Sequence, residues 1–231
     1  MRFLLAVLCG LLVLCGSAKA QATPQIIYVV NQSSVPTYRI ADALPAFQQA
    51  ADEDFGPVWN AYGQLQLTTL PPEGAWEIDI VDQPDVVWAA GYHTLHGRAP
   101  YGQVGTKTGI PWQLVFSHEF FEMLADPYVD RASYQAPQCF ENACHSGLFY
   151  AVEVADPVEA LRYAYWKKSP YGRHILISDF VTPNWFTGQG GAALDFTGNL
   201  LHHHQIGKGG YVYICREGNW QPLGTDEFRR R

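Results

Sequence analysis

The apolar positions of this chain follow two rhythms, and their order along it lays out most of an architecture. Ile26-Ile27-Tyr28-Val29-Val30 is a short run rich in β-branched residues and reads as a first strand. Ile40, Leu44, Phe47, Ala51 and Phe55 recur at helical spacing, so 40–55 is an amphipathic helix, with Pro45 early enough to be tolerated. Residues 65–70 and 76–81 alternate as strands on either side of the turn Pro71-Pro72-Glu73-Gly74. Residues 86–92 read as another strand, and Val104 with its neighbours as a short one. A helix follows from Trp112 to Ala125, started by Pro111 and stopped by Asp126-Pro127. Beyond it, 128–150 is irregular, 150–154, 173–180 and 211–215 are strand-like, and 195–199 is a turn.

The helix over 112–125 is apolar enough to be buried, yet Ser117-His118-Glu119-Phe120-Phe121-Glu122-Met123-Leu124-Ala125-Asp126-Pro127 sets an imidazole and three carboxylates into it. Positions four apart share a helix face, so His118, Glu122 and Asp126 form one stripe with Glu119 beside it. Buried carboxylates without partners are costly, and a metal ion or a tight polar network compensates them. Asp126, just before a proline, reads first as a helix-end residue. A second acidic cluster lies about thirty residues on, in Glu153-Val154-Ala155-Asp156-Pro157. In an extended segment Glu153 points away from Val152 and Val154, and Asp156-Pro157 breaks the strand. Folding of that segment back over the helix assembles His118, Glu122, Glu153 and Asp156 as metal ligands, with Glu119 as the general base of a hydrolytic reaction.

Three chemistries are open to this set. It holds a metal that activates water for Glu119, it holds a metal without hydrolysis, or it is an ion network with no metal, paired internally or with Arg131, Arg162 or backbone amides. Zinc is the first choice of ion; one imidazole and three carboxylates form a hard donor set that also suits calcium or manganese. His93 and His96 follow the 86–92 segment, at the edge of a cleft if one exists. His145 reads as a loop residue, and three consecutive rings, His202-His203-His204, cannot share one side of a strand. Ser117 and His118 point about 100° apart on a helix and are no nucleophile–base pair.

His118-Glu119-x-x-Glu122 is similar to the His-Glu-x-x-His helix of zinc peptidases, with Glu in place of the second His. The order of elements resembles the N-terminal half of zincin metallopeptidases, in which a twisted mixed sheet backs the active-site helix. The longer pattern of Ser117, His118, Glu119, Glu122, Asp126 and Pro127, followed by Glu153 and Asp156, resembles a signature of secreted proteins that includes the plant phosphate-induced (EXORDIUM-like) proteins. These likenesses imply an α/β (α+β) zincin-like fold, an irregular C-terminal half with short strands, and a metal-type site. They point to a metallopeptidase or to a non-catalytic exported protein.

The ends refine this picture. Arg2, the apolar stretch Phe3–Cys15 and Ala18-Lys19-Ala20 read as a secretory signal over 1–20, leaving one domain over 21–231 that is secreted or periplasmic. No later segment is a plausible membrane span, so no membrane insertion is expected after cleavage. The net charge of −7 becomes about −9 once Arg2 and Lys19 leave, which excludes the basic surface that nucleic acid requires. A peptide or a cell-surface polymer remains as partner. Of the three cysteines beyond the signal, Cys139 and Cys144 are the first choice for a disulfide, with Cys215 free in a buried strand; pairings with Cys215 stay open.

Overall fold

In the computed structural model, which describes residues 24–136, 139–140, 143–144, 147–188 and 193–224, the first β-branched run forms β1 (Gln25–Asn31) inside a five-stranded sheet. Helix α1 (Thr37–Ala50) runs on through one π-helical turn (Ala51–Phe55) into the short α2 (Gly56–Trp59). The π turn keeps Phe55 fully buried, stacked on Phe121 at 4.8 Å between ring centroids. Strands β2 (Gly63–Thr68) and β3 (Trp76–Val81) flank β1, both parallel to it. Strands β4 (Gly91–His96) and β5 (Ala99–Gly105) form an antiparallel hairpin that turns at Gly97, whose φ of 66° favours a residue without Cβ. Strand β5 pairs in parallel with β3, so the order is β2-β1-β3-β5-β4, with the single antiparallel strand at the edge.

The expected strand over 86–92 is displaced. Val86 to Ala90 is a turn that leaves Val87 and Trp88 exposed, and pairing begins only at Gly91. Apolar composition marks this segment as strand-like, but pairing is decided by the hairpin with β5.

Helix α3 (Trp112–Ala125) spans the predicted residues. It packs on β4 and β5 from one side and is covered by later elements from the other, which explains why nearly every residue from Leu114 onward is buried. Phe116 meets Phe47 of α1 at 4.5 Å, and Phe121 joins Phe55 and Phe180 in an aromatic cluster. Ser117 Oγ donates within the helix and accepts the Ser178 N–H at 2.8 Å. It therefore fastens α3 to the later chain and has no part in nucleophilic chemistry.

The C-terminal half is more regular than expected. Strands β6 (Ala132–Gln135), β7 (Cys139–Phe140), β8 (Ala143–Cys144) and β9 (Leu148–Ala151) precede a 3-10 turn at Asp156–Val158. Then come β10 (Tyr165–Lys168), β11 (His174–Ile177), the short helix α4 (Pro183–Thr187), β12 (Tyr211–Arg216) and β13 (Asn219–Gly224). A four-stranded antiparallel sheet runs in the order β13-β12-β9-β6, while β10–β11 and β7–β8 are separate pairs. Strand β9 ends at Ala151, so the 150–154 segment is extended only at its beginning. One hydrophobic cluster contains residues of both halves, among them Ile27, Phe47, Phe120, Ile177, Trp185 and Ile214. Cys215 is buried in β12 and free, as expected. Cys139 and Cys144 face each other in the β7–β8 register; their side chains, the signal-like residues 1–20 and His145 lie outside the described part of the structure.

The 195–199 turn closes on a buried acid pair. Asp195 accepts the N–H groups of Asn199 and Leu200, and Asp179 accepts those of Phe180 and Thr197. Burial, and then the hydrogen bond to Asp195, push the Asp179 carboxyl up to about 8. An unfolded Asp titrates near 4 (about 3.9). Between about pH 4 and 8 the folded protein therefore holds a proton that the unfolded chain has released, and stability falls as pH rises through that window, by up to about 1.4 kcal/mol per pH unit. Asp179→Asn keeps a donor toward Asp195 and removes this titration. Urea unfolding at pH 5, 6, 7 and 8 should give a flatter stability profile for the variant; parallel profiles would show that Asp179 is ionised throughout.

Candidate metal centre

The site forms where α3, β4, β12 and the segment after β9 meet. Helical periodicity puts His118 and Glu122 on the face of α3 that looks toward the 3-10 turn, whose first residue is Asp156. His118 Nε2 lies 3.3 Å from Glu122 Oε1 and 3.2 Å from Asp156 Oδ1. Glu122 Oε1 also accepts the Ala155 N–H at 3.1 Å, which pins the acidic loop to the helix. The donor atoms of His118, Glu122 and Asp156 all lie within 4.8 Å of one another.

Glu153 does not join that trio. Its carboxylate groups instead with His93 and Glu122, again within 4.8 Å. The four-ligand set read from the sequence is thus divided between two clusters, with Glu122 in both, because the chain turns sharply between Glu153 and Asp156. His93 comes from β4: its Nδ1 stands 3.6 Å from Glu122 Oε2 and 3.7 Å from Glu119 Oε2, and its Nε2 stands 3.8 Å from Glu153 Oε2. From its place in the chain, His93 reads only as a cleft-edge residue. Its neighbour Gly91 supplies the missing reason: a Cβ there would come within 2.5 Å of Val115 Cγ1 and 2.8 Å of Glu119 Oε1. Absence of a side chain at 91 lets the edge strand press onto α3 and carries His93 over the helix.

Tyr211, at the start of β12, was not foreseen. Its hydroxyl donates to Asp156, and burial, followed by the surrounding carboxylates, holds the phenol well above its usual range. Gly210 before it permits this approach, since a Cβ there would collide with the Pro157 carbonyl. A strand beginning with tyrosine carries no signal of such a role. Asp126 is a helix-end residue after all: it accepts the N–H groups of Asp130 and Arg131, while the Arg131 guanidinium donates to the Ala125 carbonyl. The His202–His204 triplet stands apart from both clusters. His204 stacks on Tyr150 at 4.3 Å and bonds the Phe186 carbonyl, and His202 and His203 are exposed.

Electrostatics at the site are those of crowded acids under cover. Burial and then the Glu122 charge push Asp156 up to about 8 and Glu153 well above the carboxylate range; burial likewise raises Glu119. Glu122 goes the other way: burial opposes its charge, but His118, His93 and the Ala155 N–H outweigh burial and lower it. Burial alone would depress both imidazoles. His118 is nevertheless held well above its usual value by Glu122 and Asp156, and His93 is raised to about 10 by Glu119, Glu153 and Glu122.

The donors fit a divalent metal. With metal–ligand bonds of about 2.0–2.1 Å, neighbouring ligand atoms of a tetrahedral site lie roughly 3.3 Å apart. The His118 Nε2 distances of 3.3 and 3.2 Å match that edge. A buried nitrogen, His93 Nε2, and a buried oxygen, Glu153 Oε2, have no hydrogen-bond partner, a state that folded proteins avoid. No helix among the described residues is long and apolar enough to cross a membrane. Comparison of the chain with protein-family models, with curated proteins and with solved structures found no match in any of the three.

Proposed function

We propose that this chain is an exported metal-dependent hydrolase acting on peptides, with its metal on His118, Glu122 and Asp156. The observation that carries this reading is the convergence of those three side chains, one from each turn of a helix face and one from a distant loop, at ligand-to-ligand spacing. A divalent ion there supplies Lewis acidity, polarising a carbonyl and acidifying water. Glu119, next to His118 on α3 and buried, accepts the proton of the attacking water and returns it to the leaving amine. Tyr211 steadies Asp156 through its hydroxyl.

Peptide is the substrate class best supported by the sheet. Among the described residues β4 pairs only with β5, so its outer edge offers free backbone groups next to His93 and the site. An extended peptide can add to such an edge by main-chain hydrogen bonds, which brings a backbone carbonyl alongside the metal ligands. The likeness of His118-Glu119-x-x-Glu122 to zinc-peptidase helices agrees with this, and the signal-like pattern over 1–20 supports an exported site of action.

A metal site without catalysis is the second reading, favoured by enclosure: the most open side chain of the trio, that of His118, is only 12% exposed, and neighbouring Glu153 is 16% exposed. The two are separated by stripping the protein with a chelator, restoring zinc or manganese, and following cleavage of a fluorogenic peptide library. Cleavage that disappears and returns with the metal supports the hydrolase. Stoichiometric metal with no cleavage supports the second reading, and a protein that takes up no metal overturns both.

A further inference from the structure

Glu122 faces two ways. Oε1 lies toward His118 and the Ala155 N–H, while Oε2 lies toward His93. Glu122 thus takes part in two three-residue clusters, each of one imidazole and two carboxylates, and turns a different oxygen toward the imidazole of each. We propose that the centre is dinuclear: a second divalent cation sits on His93 Nε2, Glu153 and Glu122, and the Glu122 carboxylate bridges it to the first. The proposal rests on the metal reading of the His118 cluster and extends it.

Three observations carry it. First, the His93 side chain is 4% exposed, and its Nε2 has no hydrogen-bond partner although it faces Glu153 Oε2, itself buried and without a partner, at 3.8 Å. That separation is too long for a hydrogen bond, and an ion held between the two atoms would give each the partner it lacks. Second, His93 is poised with the correct nitrogen free. Nδ1 is turned toward the Glu119 carboxylate, 3.7 Å away, which leaves Nε2 facing Glu153; a carboxylate on the Nδ1 side favours the tautomer in which Nε2 offers its lone pair to a metal. Third, the donors suffice for two ions. Four carboxyl groups and two imidazoles converge here, so each cluster keeps its own imidazole and one carboxylate of its own besides the shared Glu122. Paired metal ions about 3.5–4 Å apart, sharing a carboxylate, are a known means of holding both the attacking and the leaving oxygen.

Metal content and magnetism decide the matter without reference to activity. Full-length protein, prepared without a histidine tag, is stripped, dialysed against manganese(II) and assayed by elemental analysis and electron paramagnetic resonance. The expected result is two ions per chain with an exchange-coupled signal. His93→Ala and Glu153→Gln should each fall to one ion and give the signal of an isolated manganese(II). Glu153→Gln serves as the deciding variant if His93→Ala fails to fold by circular dichroism. One ion in the wild type, unchanged in these variants but lost in His118→Ala, overturns the second site and leaves the proposed function standing. Two ions that are uncoupled, or that both survive Glu153→Gln, also overturn it. No bound ion in the wild type sinks the proposed function and this inference together.

Discussion

Glu119→Gln is expected to keep the bound metal and to lower peptide hydrolysis by about 10²–10⁴-fold, the usual contribution of a positioned general base. Gln has nearly the same volume, so the tight contact under Gly91 persists and the buried site, where Glu119 is 5% exposed, does not collapse. What the amide lacks is an oxygen basic enough to take a proton. Glu119 belongs to neither of the two three-residue clusters, so metal content should match the wild type. The loss should fall on kcat, with KM little changed, because proton transfer is felt in the transition state more than in binding. An unchanged rate removes Glu119 from the mechanism. Loss of metal alongside loss of rate would instead make it a ligand.

The parts of this site that sequence could show are those written locally. Helix α3 has its predicted limits because Pro111 and Asp126-Pro127 are local signals, and the His118–Glu122 pairing follows from a period that no tertiary contact alters. The contribution of Asp156 was legible for a similar reason, since the Asp-Pro pair forces the chain to turn. Glu153 shows where such reading ends. Its nearness to the site was right, but the side to which it turned depended on β9 stopping at Ala151, and that stop depends on pairing with β6 and β12. His93 needed still more: the position of an edge strand, the displacement of β4 from 86–92 to 91–96, and the close approach that Gly91 allows. Tyr211 required the whole second sheet. Periodicity reports which face a residue occupies, whereas ligand sets are made by contacts between faces far apart in the chain.

Adding saturating zinc or manganese to stripped protein is expected to raise its thermal midpoint by roughly 8–16 °C. A ligand at about a thousand times its dissociation constant stabilises the folded state by about 4 kcal/mol, and for a chain of this size each kcal/mol moves the midpoint by about 2–4 °C. The physical source is the state of the site without metal. Burial and mutual repulsion then hold Asp156 and Glu153 far from their normal ionised form, and His118 and His93 are the positive partners nearest to them. A cation allows the carboxylates to ionise and gives His93 Nε2 and Glu153 Oε2 the partner they lack. Calorimetry in chelator and in excess metal measures the shift. His118→Ala should remove most of it, because the first cluster loses its only nitrogen ligand. A wild-type midpoint indifferent to both chelator and metal would favour the remaining alternative, in which two imidazolium ions pair with carboxylates and the other acids stay protonated. Adding a metal to that closed network would require breaking the ion pairs of His118 and His93 with nothing gained in stability, so the two pictures predict opposite responses to the same titration.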